Sequence, residues 1–286
     1  MMRSVLFVPA DSPAKYDKAL GSNADGLILD LEDSVSAAAR PGAREGLAEL
    51  LARDRRGKTI FVRVNALGTD EALPDLAAAM TGAPDGILLP KCVGGADVAR
   101  LGDMLSAFET AHGLPLGETR IFPIATENAA GLLALPSLAP AHPRLMAMMW
   151  GAEDLAADLG SRANRAQGRY TDPFRTARTQ LLLAAAAAGV PAYDTVFTDI
   201  RNLDALATEC DEARRDGFAG KVVIHPSHID PVNAAFTPTE EEIAHARRIV
   251  AFFDENPDAG VSNLDGQMID KPHERAARRL LSGLPD

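Results

Sequence analysis

Eight short apolar runs recur along the chain, most of them ending in polar or ionisable residues: 4–8, 26–31, 59–64, 86–89, 120–125, 145–150, 192–197 and 221–224. Continuous rather than alternating apolar runs are what parallel strands covered on both faces require. Between them lie segments with helical character, among them 43–53, 73–80, 96–111, 174–188 and 203–216. Strand followed by helix, eight times over, predicts a (β/α)₈ TIM barrel. An open doubly wound sheet is the alternative. It would more often use five or six strands, and no GxGxxG follows the first run.

After the eighth run, residues 239–253 predict a helix, with Thr237-Pro238-Thr239 as its cap and Glu240, Glu241 and Glu242 in its first turn. Asn256-Pro257-Asp258-Ala259-Gly260 then breaks the chain. The remainder cannot add a ninth barrel strand. It reads as an appendage whose apolar stripe, Ala276, Leu280 and Leu281, packs on a neighbouring element or on another subunit. The chain therefore divides into a catalytic barrel over 1–255 and an extension over 256–286.

Composition narrows the class. A length of 286 residues suits one barrel, and 47% hydrophobic with 24% charged residues is the balance of a globular protein. No apolar run approaches the roughly 20 residues that span a bilayer. Residues 4–8 are too short and too soon broken by Pro9 for a signal peptide, and read as the first strand. Cys92 and Cys210 stand far apart with no CxxC spacing, which points to neither a disulfide framework nor a thiolate zinc site and fits a reducing cytoplasm. The net charge of -11 argues against nucleic acid or an anionic membrane as partner. A polyanionic small ligand would need a local basic patch.

In such barrels the active site lies at the carboxyl ends of the strands. Those ends read Asp30-Leu31-Glu32-Asp33, Arg63-Val64-Asn65, Pro90-Lys91, Thr126-Glu127-Asn128, Gly151-Ala152-Glu153-Asp154, Thr198-Asp199 and His225-Pro226. Acidic residues at four ends would repel one another around an empty mouth, so a cation is the natural means of holding them together. Oxygen ligands without a His or Cys cluster suit Mg²⁺ or Mn²⁺ rather than zinc. Glu127 and Asp154 are the predicted ligands, with Glu32 and Asp33 orienting neighbours or metal-bound water. Each acid could instead be a helix N-cap. Arg63, flanked by valines, is either a structural ion-pair partner or a fork for a substrate carboxylate or enolate oxygen. Gly151 and Ala152 leave backbone N–H groups free to face an anion. Lys91 and His225, taken singly, read as solvated or satisfied rim residues.

Taken in order, Arg3 to Pro9, Leu29-Asp30-Leu31-Glu32-Asp33-Ser34-Val35, Val62-Arg63-Val64-Asn65, Leu89-Pro90-Lys91, Glu127 with Gly131, Trp150-Gly151-Ala152-Glu153-Asp154-Leu155, Ile224-His225-Pro226 and Gly266-Gln267-Met268-Ile269-Asp270 form eight blocks. They resemble the citrate lyase β-subunit-like branch of the HpcH/HpaI aldolase family, which includes malyl-CoA and citramalyl-CoA lyases. The resemblance implies a homotrimer or dimer of trimers, Mg²⁺ on Glu127 and Asp154, and a substrate-carboxylate arginine at Arg63. It also implies an aspartate, here Asp270, delivered to a neighbouring subunit's active site, where the residues alone suggest an N-cap for the following helix. For CoA it implies Phe7, Lys15 and Lys18 after the first strand, with Ile224 and His225 at the eighth. The expected partners are a CoA thioester and a small 2-keto acid such as glyoxylate or pyruvate. Lysis of the carbon-carbon bond, thioester hydrolysis by the same site, and service as a citrate lyase subunit acting on a carrier-bound thioester are the readings left open. Departures from the family pattern are Ala10, where a glycine is usual, and the arginine-rich run 161–171 with Arg162, Arg165 and Arg169.

Overall fold

The computed structural model describes residues 2–139 and 142–284; the extreme ends of the two predicted segments, Met1, Pro285 and Asp286, lie outside them. The chain forms two compact units, one of residues 2–234 and one from residue 235 onward.

The first unit is the barrel. All eight apolar runs become parallel strands: β1 (Ser4–Pro9), β2 (Gly26–Asp30), β3 (Thr59–Arg63), β4 (Gly86–Leu89), β5 (Arg120–Pro123), β6 (Met148–Met149), β9 (Ala192–Asp194) and β10 (Gly220–Val223). They pair in the order β5-β4-β3-β2-β1-β10-β9-β6. Isolated parallel bridges Ile121↔Leu145 and Ile124↔Met149 join the two edges, giving a nearly closed barrel. A two-residue ladder, β7 (Arg165–Ala166) with β8 (Arg169–Tyr170), interrupts the pattern. The helices of this unit are α1 (Pro13–Leu20), α2 (Arg40–Leu51), α3 (Ala72–Thr81), α4 (Gly95–His112), α5 (Ala129–Ala134), α6 (Glu153–Asp158), α7 (Asp172–Ala188), α8 (Leu203–Asp216) and most of α9 (Ile229–Phe236), whose last two residues fall in the second unit.

Alternation along each strand sends one set of side chains to a common core: Val5, Ile28, Phe61, Leu88, Phe122, Ile124, Tyr193 and Val222 among them. Phe122 stands edge-on to Phe61 and Tyr193, with ring centroids 5.6 and 5.2 Å away. Truncating such a ring to alanine costs about 3–5 kcal/mol. The opposite set, such as Leu27, Leu29, Ile60 and Val62, is also fully buried. Burial on both faces is why the runs read as continuous.

At the amino end of the barrel, Arg144 grips Glu109 with two hydrogen bonds of 2.7 Å. The backbone N–H groups of Gly117 and Thr119 add bonds of 2.8 and 2.9 Å to the same carboxylate. Burial pushes this carboxyl up, but the guanidinium and the backbone donors outweigh it and hold it down at about 2.

The second unit contains α10 (Glu240–Glu255), the hairpin β11 (Val261–Leu264) with β12 (Gln267–Asp270), and α11 (Lys271–Ser282). Thr239 and Glu242 close a capping box on α10, where the sequence suggested a cap and an acidic first turn. The hairpin turns through Asp265 and Gly266, both at positive φ. Its core is Ala246, Ile249, Phe253, Ile269 and Ala277, with Leu280 and Leu281 packed against it. The predicted stripe is corrected in one residue. Ala277 is buried and Ala276 exposed, and Leu280 and Leu281 meet the α10 core of their own chain.

Candidate active site

The site is built where β2, β3, β4, β5 and β6 end. Asp30 and Arg63 are the last residues of adjacent strands and stand directly opposite in register. The guanidinium takes Asp30 through Nε and Nη2, each at 2.7 Å. Its Nη1 lies 3.0 Å from Glu32 Oε2 and 3.3 Å from Asp33 Oδ2. Beneath it lies the Phe7 ring, with the centroid 4.7 Å away. Asp30 would be raised by burial, yet Arg63 and the N–H groups of Glu32 and Ser34 hold it below the usual carboxylate range. Arg63 is thus a buried ion-pair partner first. Any grip on substrate must use the donors left over.

Lys91, just after β4, is the hub. Its backbone N–H donates to Glu127, and its ammonium donates to Glu32 and lies 3.5 Å from Asp154 Oδ1. The residue sits at φ 51°, a left-handed conformation uncommon for a side chain of this size. That turn aims the N–H and the ammonium into the mouth together. Burial lowers the ammonium's affinity for its proton, but Glu32, Glu127 and Asp154 raise it by more.

Glu127 is the least satisfied member. It is 4% exposed and accepts from Lys91 N–H, while burial, reinforced by Asp154 and Glu32, pushes its carboxyl up to about 8. Its Cγ passes 2.6 Å from where a Cβ on Gly151 would stand, so only glycine fits at that position. Glu32 is also raised by burial, and its Oε2 has no hydrogen-bond partner despite the nearby guanidinium. Asp154 lies in the first turn of α6, and Ala152 before it is buried. Among the described residues no three His, Cys, Asp or Glu side chains already converge as a ligand set. The positive charge at their centre is the Lys91 ammonium.

The residues expected to meet CoA are spread along the same chain region and the eighth barrel strand. Lys15 and Lys18 are exposed on α1. A groove of about 240 Å³ runs between the turn after β1 and α2, lined by Ala10, Pro13, Ala39, Gly42, Ala43 and Arg53 among others. Ala10, where the family pattern has glycine, forms part of that wall. Ile224 is exposed, and His225 uses Nδ1 to bond Ser227 Oγ at 2.7 Å, capping the turn after β10.

Asp270 belongs to the C-terminal unit. It caps α11, accepting from the His273 N–H at 3.4 Å, and His273 holds its carboxyl below the ordinary range. The capping role suggested by the residues alone is therefore realised. Asp270 shares the outward face of the hairpin with Val261 and Met268, which are 70% and 57% exposed.

Sequence reasoning assigned no role to Asp30 as the clamp on Arg63 and treated Lys91 as a plain rim residue. The first was discoverable: an acid and an arginine ending adjacent strands fall opposite each other in a parallel register. The second depends on how far a side chain reaches across two strands, which no one-dimensional spacing records.

The model of the HpcH/HpaI aldolase/citrate lyase family matches residues 3–226. A citrate lyase subunit beta-like protein of Mycobacterium tuberculosis is 38% identical over 279 residues, covering 96% of this chain and 93% of that protein. A (3S)-malyl-CoA thioesterase of Cereibacter sphaeroides is 35% identical over 287 residues, covering 98% and 93%. The crystal structure of CitE from Mycobacterium tuberculosis in complex with magnesium, acetoacetate and coenzyme A superposes with a TM-score of 0.79 at 36% identity, covering 98% of this chain and 97% of that one. With an arrangement of carboxylates, lysine and arginine at the carboxyl mouth of a barrel, and a match running over nearly its whole length, the chain belongs to the HpcH/HpaI aldolase/citrate lyase family and is a lyase-type enzyme.

Proposed function

We propose that the protein is a Mg²⁺-dependent carbon-carbon lyase that cleaves a 3-hydroxyacyl-CoA, such as malyl-CoA or citramalyl-CoA, into acetyl-CoA and a 2-keto acid, reversibly. The observation that carries this reading is Glu127: a buried carboxylate pushed up to about 8 beside Asp154 and Glu32, short of positive charge. An all-oxygen donor set of this kind fits a hard divalent ion. Glu127 and Asp154 would hold Mg²⁺, or Mn²⁺ in its place, with Glu32 and Asp33 orienting its surroundings and the Lys91 ammonium yielding its central position. The related CitE, crystallised with magnesium, acetoacetate and coenzyme A, supports magnesium as the ion.

Bound there, the ion supplies Lewis-acid polarisation of the keto acid's carbonyl. The protein's own groups do the rest. Arg63, fixed by Asp30, offers its remaining donors to the substrate carboxylate or to the thioester enolate oxygen. Of the two backbone N–H groups expected to face the keto acid's carboxylate, that of Gly151 is spent on Thr126 Oγ1 at 3.2 Å, which leaves Ala152 N–H for the role. In the condensing direction Asp270 of an adjacent subunit removes the thioester's α-proton, the electron pair forms the new bond to the keto carbon, and the keto oxygen keeps the π pair and takes a proton from water. In cleavage the hydroxyl gives its proton to water, its oxygen forms the keto C=O as the carbon-carbon electron pair passes to the thioester as an enolate, and Asp270 returns a proton to the α-carbon. The exposed Val261 and Met268 beside Asp270 suit coverage by a second copy, in a homotrimer or dimer of trimers. Phe7, Lys15, Lys18, Ile224 and His225 would line the CoA path, with the groove beside α2 taking part of the cofactor.

Hydrolysis of the thioester is the second reading, favoured by the 35% identical malyl-CoA thioesterase. Incubating the protein with Mg²⁺ and a panel of 3-hydroxyacyl-CoA esters, with products identified by mass, separates the two. Acetyl-CoA with a keto acid is expected; free CoA with a hydroxy acid would overturn the lyase reading.

A further inference from the structure

Behind the site, between the barrel wall and helices α7 and α8, six side chains close a ring that the mechanism above does not use. Asp194, at the end of β9, is fully buried. Its Oδ1 accepts from Trp150 Nε1–H at 2.6 Å, and its Oδ2 from the Lys221 ammonium at 3.1 Å. Lys221, also fully buried, donates to Glu209 Oε1 at 2.8 Å. Glu209 Oε2 meets the Arg165 guanidinium at 2.6 Å. Arg165 lies over the Tyr170 ring, 3.7 Å from its centroid, and Tyr170 stands edge-on to Trp150 at 4.9 Å, which completes the circuit.

Two acids and two bases make the ring neutral, and a further base, Arg178, bonds Asp194 at 3.2 Å and is balanced by Asp216 at 2.7 Å. Buried ion pairs seldom outdo apolar packing in stability, so such a ring has more to contribute to geometry than to free energy. What it holds is specific. Trp150 opens the excursion between β6 and α7, and Arg165 and Tyr170 stand near its close. That excursion carries Gly151, against which Glu127 lies, and then Glu153 and Asp154. Asn164, from the same excursion, donates to Glu153 Oε1 at 2.7 Å and braces it from within.

We propose that Trp150, held by Asp194, and Arg165, held by Glu209, are positioning residues: the ring clamps both ends of segment 150–170 and so sets where Asp154 stands for a divalent cation. The inference rests on the reading of Asp154 as a cation ligand. It also gives Arg165 and Tyr170, from the run 161–171 that departs from the family pattern, a purpose.

The test is direct Mn²⁺ binding, by electron paramagnetic resonance or calorimetry, on the full-length protein with Trp150→Phe, Arg165→Met and Asp154→Asn. Trp150→Phe removes the indole N–H and part of a fully buried ring, and leaves Asp194 its bonds to Lys221 and Arg178. Loss of an outer-shell partner typically weakens metal binding by about 10–100-fold. Expected for Trp150→Phe and Arg165→Met is weakening of at least about 10-fold in the folded protein, beside the loss of melting temperature that a smaller buried ring and a stranded Glu209 oxygen bring. A merely structural role would lower the melting temperature alone and leave the affinity of the folded protein unchanged. Wild-type affinity in both ring variants, with affinity lost in Asp154→Asn, overturns the ring's role and leaves the site reading standing. Wild-type affinity in Asp154→Asn overturns the site reading and the inference with it. Should Trp150→Phe not fold, Arg165→Met decides by the same two results.

Discussion

The two ends of the barrel treat a buried glutamate in opposite ways. At the amino end Glu109 receives two bonds from Arg144 and two from backbone N–H groups, and its carboxyl is held down at about 2. At the carboxyl end Glu127 receives one backbone bond, faces Asp154 and Glu32, and is pushed up to about 8. Both are buried by the same strand β5 and its flanks. The difference is whether the protein supplies the compensating charge itself. Glu109 has its cation and serves the fold; Glu127 is short of one, and that shortage is what a metal site needs.

The largest effects should come from removing the deficit. Glu127→Gln or Asp154→Asn should cut Mg²⁺-dependent turnover about a thousandfold or more, because several kcal/mol of transition-state stabilisation go with the ion. Melting temperature should hold. Loss of fold in these variants would place Glu127 in the same class as Glu109. Next, Asp270→Asn should lower turnover roughly 10²–10⁴-fold while Mg²⁺ binding stays at the wild-type level. Asparagine caps helices as well as aspartate, so stability should change by less than about 1 kcal/mol. Normal turnover would reduce Asp270 to its capping role.

At the other end the pattern inverts. Arg144→Met strands Glu109 and should cost about 3–5 kcal/mol of stability, seen in denaturant unfolding, with kcat and KM of the remaining folded protein unchanged. The smallest effect is also the most diagnostic. Glu109 has a folded value below its ordinary 4.5, so its contribution is present above that value and is lost as pH falls toward about 2. Glu127 has a folded value above 4.5, so its contribution is present below that value and is lost as pH rises toward about 8. In metal-free protein, Glu109→Gln should flatten the acid limb of stability against pH and Glu127→Gln the neutral limb. Metal binding should release a proton and strengthen up to about pH 8.

Much of this was legible beforehand for one reason: strands buried on both faces leave continuous apolar runs, and all eight were located. Where the runs misled, side chains explain it. The seventh run was read to Phe197, but β9 stops at Asp194, whose carboxylate is buried by Trp150, Arg178 and Lys221 rather than exposed at a rim. Lys221 read as the start of a strand, yet it is wholly buried because two carboxylates meet its ammonium. The C-terminal hairpin went unread because its strands of four residues each bury little beyond Ile269. At the mouth, Glu32, Glu127 and Asp154 were found from their places after apolar runs. Lys91 was not, since its role arises from a positive φ and a reach across strands that adjacency in sequence cannot express.

Whether Glu127 and Asp154 share one ion can be seen in crystals of the protein soaked with Mn²⁺ and a 2-keto acid and measured at a wavelength where manganese scatters anomalously. One strong peak is expected, touching carboxylate oxygens of both Glu127 and Asp154, with the Lys91 ammonium displaced from its place between Glu32 and Asp154. A peak away from these two residues, or none with Lys91 still in place, would contradict a shared ion.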